Sequence, residues 1–183
     1  MKIKKTYLEG CFVIEFKIFQ DERGCFYESF NQNLFLEKTG IDTTFVQDNV
    51  SVSKLGVVRG LHMQKGKFAQ AKLISVIKGK ILDVVVDVRE NSSTFGKSFS
   101  IELSDINRKQ LFVPRGFLHG FSSLEENTIV SYKCDNYYNK ESETGVIFND
   151  KNLEIDWKLK NDKIIVSEKD KKLREFKTVN FFK

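Results

Sequence analysis

Short stretches of alternating or continuous apolar character recur about every ten residues along most of the chain, and this rhythm restricts the fold more than any other feature. They run from Cys11 to Ile18, Cys25 to Phe30, Thr44 to Asn49, Gly56 to His62, Gln70 to Lys78, Ile81 to Arg89, Phe99 to Leu103, Gln110 to Val113, Thr128 to Asp135 and Gly145 to Phe148. Such spacing predicts an all-β sandwich or barrel. The 17 Phe against 2 Met and 1 Trp agree, because aromatic side chains suit strands. Lys78-Gly79-Lys80 reads as a tight hairpin turn, and the only proline, Pro114, must end a strand. Two helices are predicted, Asn31 to Lys38 with Asn31 as N-cap and Gly40 beyond its end, and Glu168 to Phe176 with Ser167 as N-cap.

With 183 residues the chain is expected to form one domain over 1–183, ending in a helical tail from about residue 167. No stretch approaches the roughly 20 apolar residues of a membrane helix, and Met1 to Lys5 lacks the apolar core of a signal peptide, so a cytoplasmic protein without a membrane partner is expected. Cys11, Cys25 and Cys134 are odd in number and form no CxxC, which indicates neither a disulfide framework nor a zinc site. The net charge of +5 resides in Trp157 to Lys183, which holds 9 Lys and Arg against 4 Asp and Glu. Acids are mixed through that tail and it carries no nucleic-acid motif, so a solvated surface is expected rather than a nucleic-acid partner.

The only two histidines each follow an Arg-Gly pair, in Arg59-Gly60-Leu61-His62 and Arg115-Gly116-Phe117-Leu118-His119. Each is either a satisfied interior group or part of a site that moves protons beside a bound anion. Strand alternation sets His62 with Gly60 and Val58, and Arg59 with Leu61 on the other face, if the strand is regular. It also sets Lys72 with Ile74 and Val76, and Asp83 with Ile81 and Val85. Those two charges either pair across the hairpin or serve a ligand, since an unpaired buried charge is costly. Tyr132, beside Val130 and Cys134, needs a partner for its hydroxyl or acts as an acid. Two histidines 57 positions apart, with no His-x-His, do not suit a metal-dependent cupin oxygenase, and no metal site is expected.

Several motifs occur together: Asp21-Glu22-Arg23-Gly24, Phe45-Val46-Gln47-Asp48-Asn49, Arg59-Gly60-Leu61-His62-Met63-Gln64, Ala69-Gln70-Ala71-Lys72-Leu73, Pro114 to Phe121, Tyr132 to Tyr138, and Ser167-Glu168-Lys169-Asp170. In order and spacing the chain resembles the dTDP-4-dehydrorhamnose 3,5-epimerase family. The resemblance implies a cupin-type jelly roll, a homodimer, a nucleotide-diphosphate sugar as substrate, and no cofactor or metal. It implies that His62 is the general base held by Asp170, that Tyr132 is the general acid on the opposite face of the sugar, and that Lys72 stabilises the enolate oxygen with His119 beside it. Arg23, Glu28, Gln47, Asp48, Asn49, Arg59, Glu143 and Lys169 match positions that hold the nucleotide and its diphosphate, and Tyr138 matches the aromatic that stacks on thymine.

These residue types suit the chemistry. A ketone at C4 acidifies the hydrogens on C3 and C5, and the resulting enolate carries its charge on the C4 oxygen, where a cation lowers the barrier. Inversion then needs a donor on the other face. Met63, Ala71 and Leu118 depart from the family pattern and are expected near the sugar, where they would reshape the pocket. Ser167 to Asp170 also resembles a capping box, which would make Asp170 a helix cap. The alternatives are a monofunctional 3- or 5-epimerase, a GDP-linked heptose-nucleotide epimerase and a non-catalytic sugar-nucleotide-binding cupin.

Overall fold

The computed structural model describes residues 1–182. Strands β1 (Lys2–Lys5), β2 (Phe12–Glu15), β3 (Phe19–Asp21) and β4 (Gly24–Phe26) precede the single α-helix among the described residues, α1 (Gln32–Thr39). Then follow β5 (Gln47–Ser53), β6 (Val57–Gln64), β7 (Lys72–Lys78), β8 (Lys80–Asp87), β9 (Ser98–Ser104), β10 (Gln110–Val113), β11 (Phe117–Ser123), β12 (Thr128–Cys134), β13 (Glu143–Gly145) and β14 (Ile165–Val166). One sheet has the order β1-β2-β10-β7-β12-β5 and the other β13-β6-β11-β8-β9, with β14 added parallel to β6; β3 and β4 form a separate hairpin. The all-β sandwich expected from the strand rhythm is therefore present.

Three apolar layers hold it together. Between the sheets lie Val13, Ile74, Val76, Ile81, Val85, Leu111, Phe117, Phe121 and Val130, the inward members of alternating strands. Outside the first sheet, Phe35 of α1 packs on Phe12, Leu73 and Phe112. The helix begins where expected, with Asn31 Oδ1 accepting from the Leu34 N–H at 3.0 Å, and ends at Gly40 in the left-handed region. Outside the second sheet, Leu153, Trp157 and Phe181 from the C-terminal stretch cover Val58, Leu61, Met63, Val84 and Leu118.

Two local expectations are corrected. Lys78-Gly79-Lys80 is not a hairpin: β7 pairs with β10 and β12 in one sheet, and β8 with β9 and β11 in the other. Gly79, at φ 80°, turns the chain from sheet to sheet, so Lys72 and Asp83 face each other across the sandwich instead of lying side by side. The predicted helix over Glu168 to Phe176, and with it a helical tail, is replaced by short 3₁₀ turns at Asp170–Lys172 and Phe176–Thr178. Ser167 does accept from the Asp170 N–H, but Arg174 then bridges Val146 and the Phe176 N–H is taken by the Asp150 carboxylate. These tertiary pairings outweigh a local helix signal.

Candidate active site

A cavity of about 650 Å³ opens between the sheets, lined by β5, β6, β7, β11, β12 and residues 165–170. Its form depends on an irregularity in β6. His62 lies opposite His119 and Arg59 opposite Phe121, so three steps along β6 match two along β11. The extra residue sits at Gly60, φ 117°, facing Gly120; a Cβ on Gly60 would come within 2.6 Å of Gly120 Cα, and one on Gly120 within 2.7 Å of Arg59 O. The bulge reverses the alternation expected for this strand. Arg59 and His62 share the cavity face, while Val58, Leu61 and Met63 pack in the outer apolar layer.

His62 Nε2 lies 2.7 Å from Asp170 Oδ1, and the other carboxylate oxygen accepts from the Gly60 N–H at 3.3 Å. Burial opposes ionisation of Asp170, yet the bonds from His62 and Gly60 prevail and hold its carboxyl below the usual range. The capping geometry and the histidine contact thus coexist: the Asp170 backbone caps onto Ser167 while its carboxylate serves His62.

The facing wall, from β7 and β12, presents Lys72 and Tyr132, with the Lys72 ammonium 5.9 Å from the Tyr132 ring centre. Burial pushes the Lys72 ammonium down, against the opposing pull of Cys134, Asp83 and Glu143. Burial pushes the Tyr132 phenol up. Deeper in, the buried His119 bonds through Nε2 to Asp83 Oδ1 at 2.7 Å, so Asp83 pairs with histidine and makes no ion pair with Lys72.

Beside His62, Lys72 and Tyr132 the cavity extends into a smaller lobe lined by Gln47, Asn49, Gln64, Gln70, Tyr138 and Glu143. Gln47 and Gln64 accept from the successive N–H groups of Tyr138 and Asn139, fixing that turn. Glu143 Oε2 accepts from Tyr138 Oη at 2.8 Å and from Lys169 Nζ at 2.5 Å; against the cost of its burial, these bonds keep its carboxyl low.

Of the expected site residues, His62, Tyr132, Lys72, Asp170, His119, Arg59, Gln47, Asn49, Tyr138, Glu143 and Lys169 meet around this space. Asp48 does not, because alternation turns it outward to pair with Lys133 at 3.0 Å. Arg23 lies on the β3–β4 hairpin paired with Asp21, and neither it nor the exposed Glu28 lines the cavity of this chain. Met63, Ala71 and Leu118 are buried in the outer layers, Met63 alone bordering the smaller lobe, so the wall of the main cavity is unaltered by them. Gln64 and Gln70 were missed; alternation from His62 would have found the first.

The family model of dTDP-4-dehydrorhamnose 3,5-epimerase matches residues 5–178. The chain belongs to this family. The epimerase is 48% identical over 175 residues to the dTDP-4-dehydrorhamnose 3,5-epimerase of Methanothermobacter thermautotrophicus, spanning 93% of this chain and 94% of that protein. Its structure is similar to the crystal structure of dTDP-4-dehydrorhamnose 3,5-epimerase from Elizabethkingia anophelis, with a TM-score of 0.95, 56% identity and 99% of each chain covered. It is also similar to dTDP-6-deoxy-D-glucose-3,5-epimerase from Legionella pneumophila in complex with dTDP-4-keto-L-rhamnose, with a TM-score of 0.94, 42% identity and 98% and 94% of the two chains covered. The cupin-type jelly roll implied by the motifs is the fold of this epimerase.

Proposed function

We propose that the protein inverts C3 and C5 of a dTDP-4-keto-6-deoxyhexose through an enolate, as a step in dTDP-L-rhamnose or related deoxysugar synthesis, without a cofactor. The observation that carries this is the opposition of two proton-handling groups across one cavity, His62 with its aspartate on one sheet and Tyr132 on the other. A base on one face and an acid on the other is what inversion at carbon requires. His62, steadied by Asp170, removes the proton from C3 or C5. Tyr132, whose phenol burial keeps protonated, returns one from the far side. Lys72, with His119 beside it, stabilises the charge that develops on the C4 oxygen.

Arg59 and Lys169 suit the diphosphate, Gln47, Asn49 and Glu143 the polar groups of the nucleotide, and the half-exposed Tyr138 ring the face of thymine. Arg23 and Glu28 lie outside the cavity of one chain. We assign them to the neighbouring site of a homodimer, where the β3–β4 hairpin of one copy would reach the nucleotide of the other. No helix among the described residues is long and apolar enough to cross a membrane, which fits an enzyme of cytoplasmic nucleotide sugars.

Incubation in D2O with dTDP-4-keto-6-deoxyglucose tests the reading. Deuterium at both C3 and C5 is expected. Label at one carbon makes the protein a monofunctional epimerase, and label at neither carbon overturns the assignment.

A further inference from the structure

Asp83 is fully buried on the inward face of β8, and among the described residues only one of its oxygens is bonded, Oδ1 to His119 Nε2 at 2.7 Å, while Oδ2 has no hydrogen-bond partner. A buried carboxylate left half unsatisfied is costly to a fold, and an apolar or neutral residue there would be cheaper. Across the sandwich, Lys72 lines the same interior without an ion pair among the described residues, its ammonium 5.9 Å from the centre of the Tyr132 ring. The other ionisable groups that act on it are Cys134 of β12 and Glu143 of β13, and His62 of β6 and His119 of β11 line the same cavity. Cys134 is a buried thiol pushed up by burial, and Glu143 is already engaged by Lys169 and Tyr138. Among the groups that act on Lys72, Asp83 is thus the carboxylate that keeps an oxygen without a hydrogen-bond partner among the described residues.

We propose that Asp83 is a positioning residue of the epimerisation site, its single carboxylate orienting the His119 ring and balancing the Lys72 ammonium so that both can address the C4 oxygen of the substrate. The His119 ring is held through Nε2 and lines the cavity, with no hydrogen bond from its Nδ1 among the described residues. When the enolate forms, its negative charge joins a site where one cation is already offset and a polar donor is already aimed, so little has to reorganise.

The inference rests on the epimerase reading, and its test separates the two. Asp83→Asn keeps shape and removes charge. The fold is expected to survive with an unchanged or higher melting temperature, while kcat falls at least tenfold with KM little altered. Without the carboxylate, Lys72 loses its proton at lower pH, so the alkaline limb of the kcat profile moves down in pH while the acidic limb stays. Unchanged kcat and an unmoved alkaline limb overturn the proposal. A wild-type protein that exchanges no substrate hydrogen overturns the epimerase reading instead, and this one with it. A second measurement needs no variant. The chain has only two histidines, so ¹⁵N-histidine spectra of the wild type are readily assigned. A proton on His119 Nε2 is expected, since a charged Asp83 can only accept; a bare Nε2, with Asp83 as the donor, overturns the proposal.

Discussion

His62 and His119 lie directly opposite each other on paired strands β6 and β11, and each ring is anchored through Nε2 to an aspartate from a different part of the chain, Asp170 and Asp83. The two pairs differ in setting. His62 is partly open and its aspartate is satisfied by a second hydrogen bond, whereas His119 and Asp83 are buried and one aspartate oxygen is left over. One pair is open to a ligand in the cavity and the other is closed into the interior.

For the base, His62→Ala is expected to lower solvent deuterium uptake at both carbons by a factor of about 100 to 10,000, the usual cost of a lost general base. Exchange measured by NMR at a near wild-type rate would remove His62 from that role.

Tyr132→Phe separates abstraction from inversion. Uptake of solvent hydrogen is expected to persist while product of inverted configuration falls, because His62 can return a hydrogen to the face it came from. Equal losses of label and of inversion would show that Tyr132 is not a separate acid.

Lys72→Met addresses the enolate. Lys72 makes no ion pair among the described residues, so the variant should unfold near the wild-type temperature yet turn over about 100-fold more slowly or worse. Thermal unfolding and initial rates on one preparation decide; a large loss of stability with normal turnover of the folded fraction would contradict the assignment.

Tyr138→Ala is expected to weaken dTDP binding several-fold, toward the low end of the roughly 1 to 3 kcal/mol that stacking contributes per base. The wild type should prefer dTDP to GDP. Calorimetric titration showing tighter GDP binding would favour a heptose-nucleotide substrate.

Asp87 gives a pH dependence of stability with a defined sign. Its burial opposes ionisation, but hydrogen bonds from Arg89, Thr94 and Ser92 bring its carboxyl down to about 2 from 3.8. A depressed carboxylate stabilises the folded state above its unfolded pKa, and that stability is lost as pH falls from about 4 toward 2. Wild type should lose about 2 kcal/mol more than Asp87→Asn over this interval. Denaturant titrations at pH 4 and pH 2 measure the difference, and equal losses would refute it.

The inward faces of β7, β8 and β12 were legible because alternation is a local property: Lys72, Asp83 and Tyr132 stand where period two puts them. Partners were not legible, since the sheet crossing at Gly79 decides that Asp83 meets His119 rather than Lys72. The shared face of Arg59 and His62 was hidden for a different reason. A bulge changes the phase of a strand, and the glycine that permits it fits a regular strand or a turn equally well in sequence. The tail misled because Ser167 carries a true capping signal, which the bridge at Arg174 overrides after one turn.

The Gly60 bulge divides β6 into two legs whose side-chain phases are independent. Val57 and Arg59 border the end of the cavity near Ile165 and Val166, and Leu61 to Gln64 carries His62 and leads to the smaller lobe. A change of residue in the first leg therefore alters the lining around Arg59 without rotating His62 away from Asp170. A single strand thus lends two differently phased surfaces to one cavity, and a substitution on either leg is felt first on its own side of the glycine.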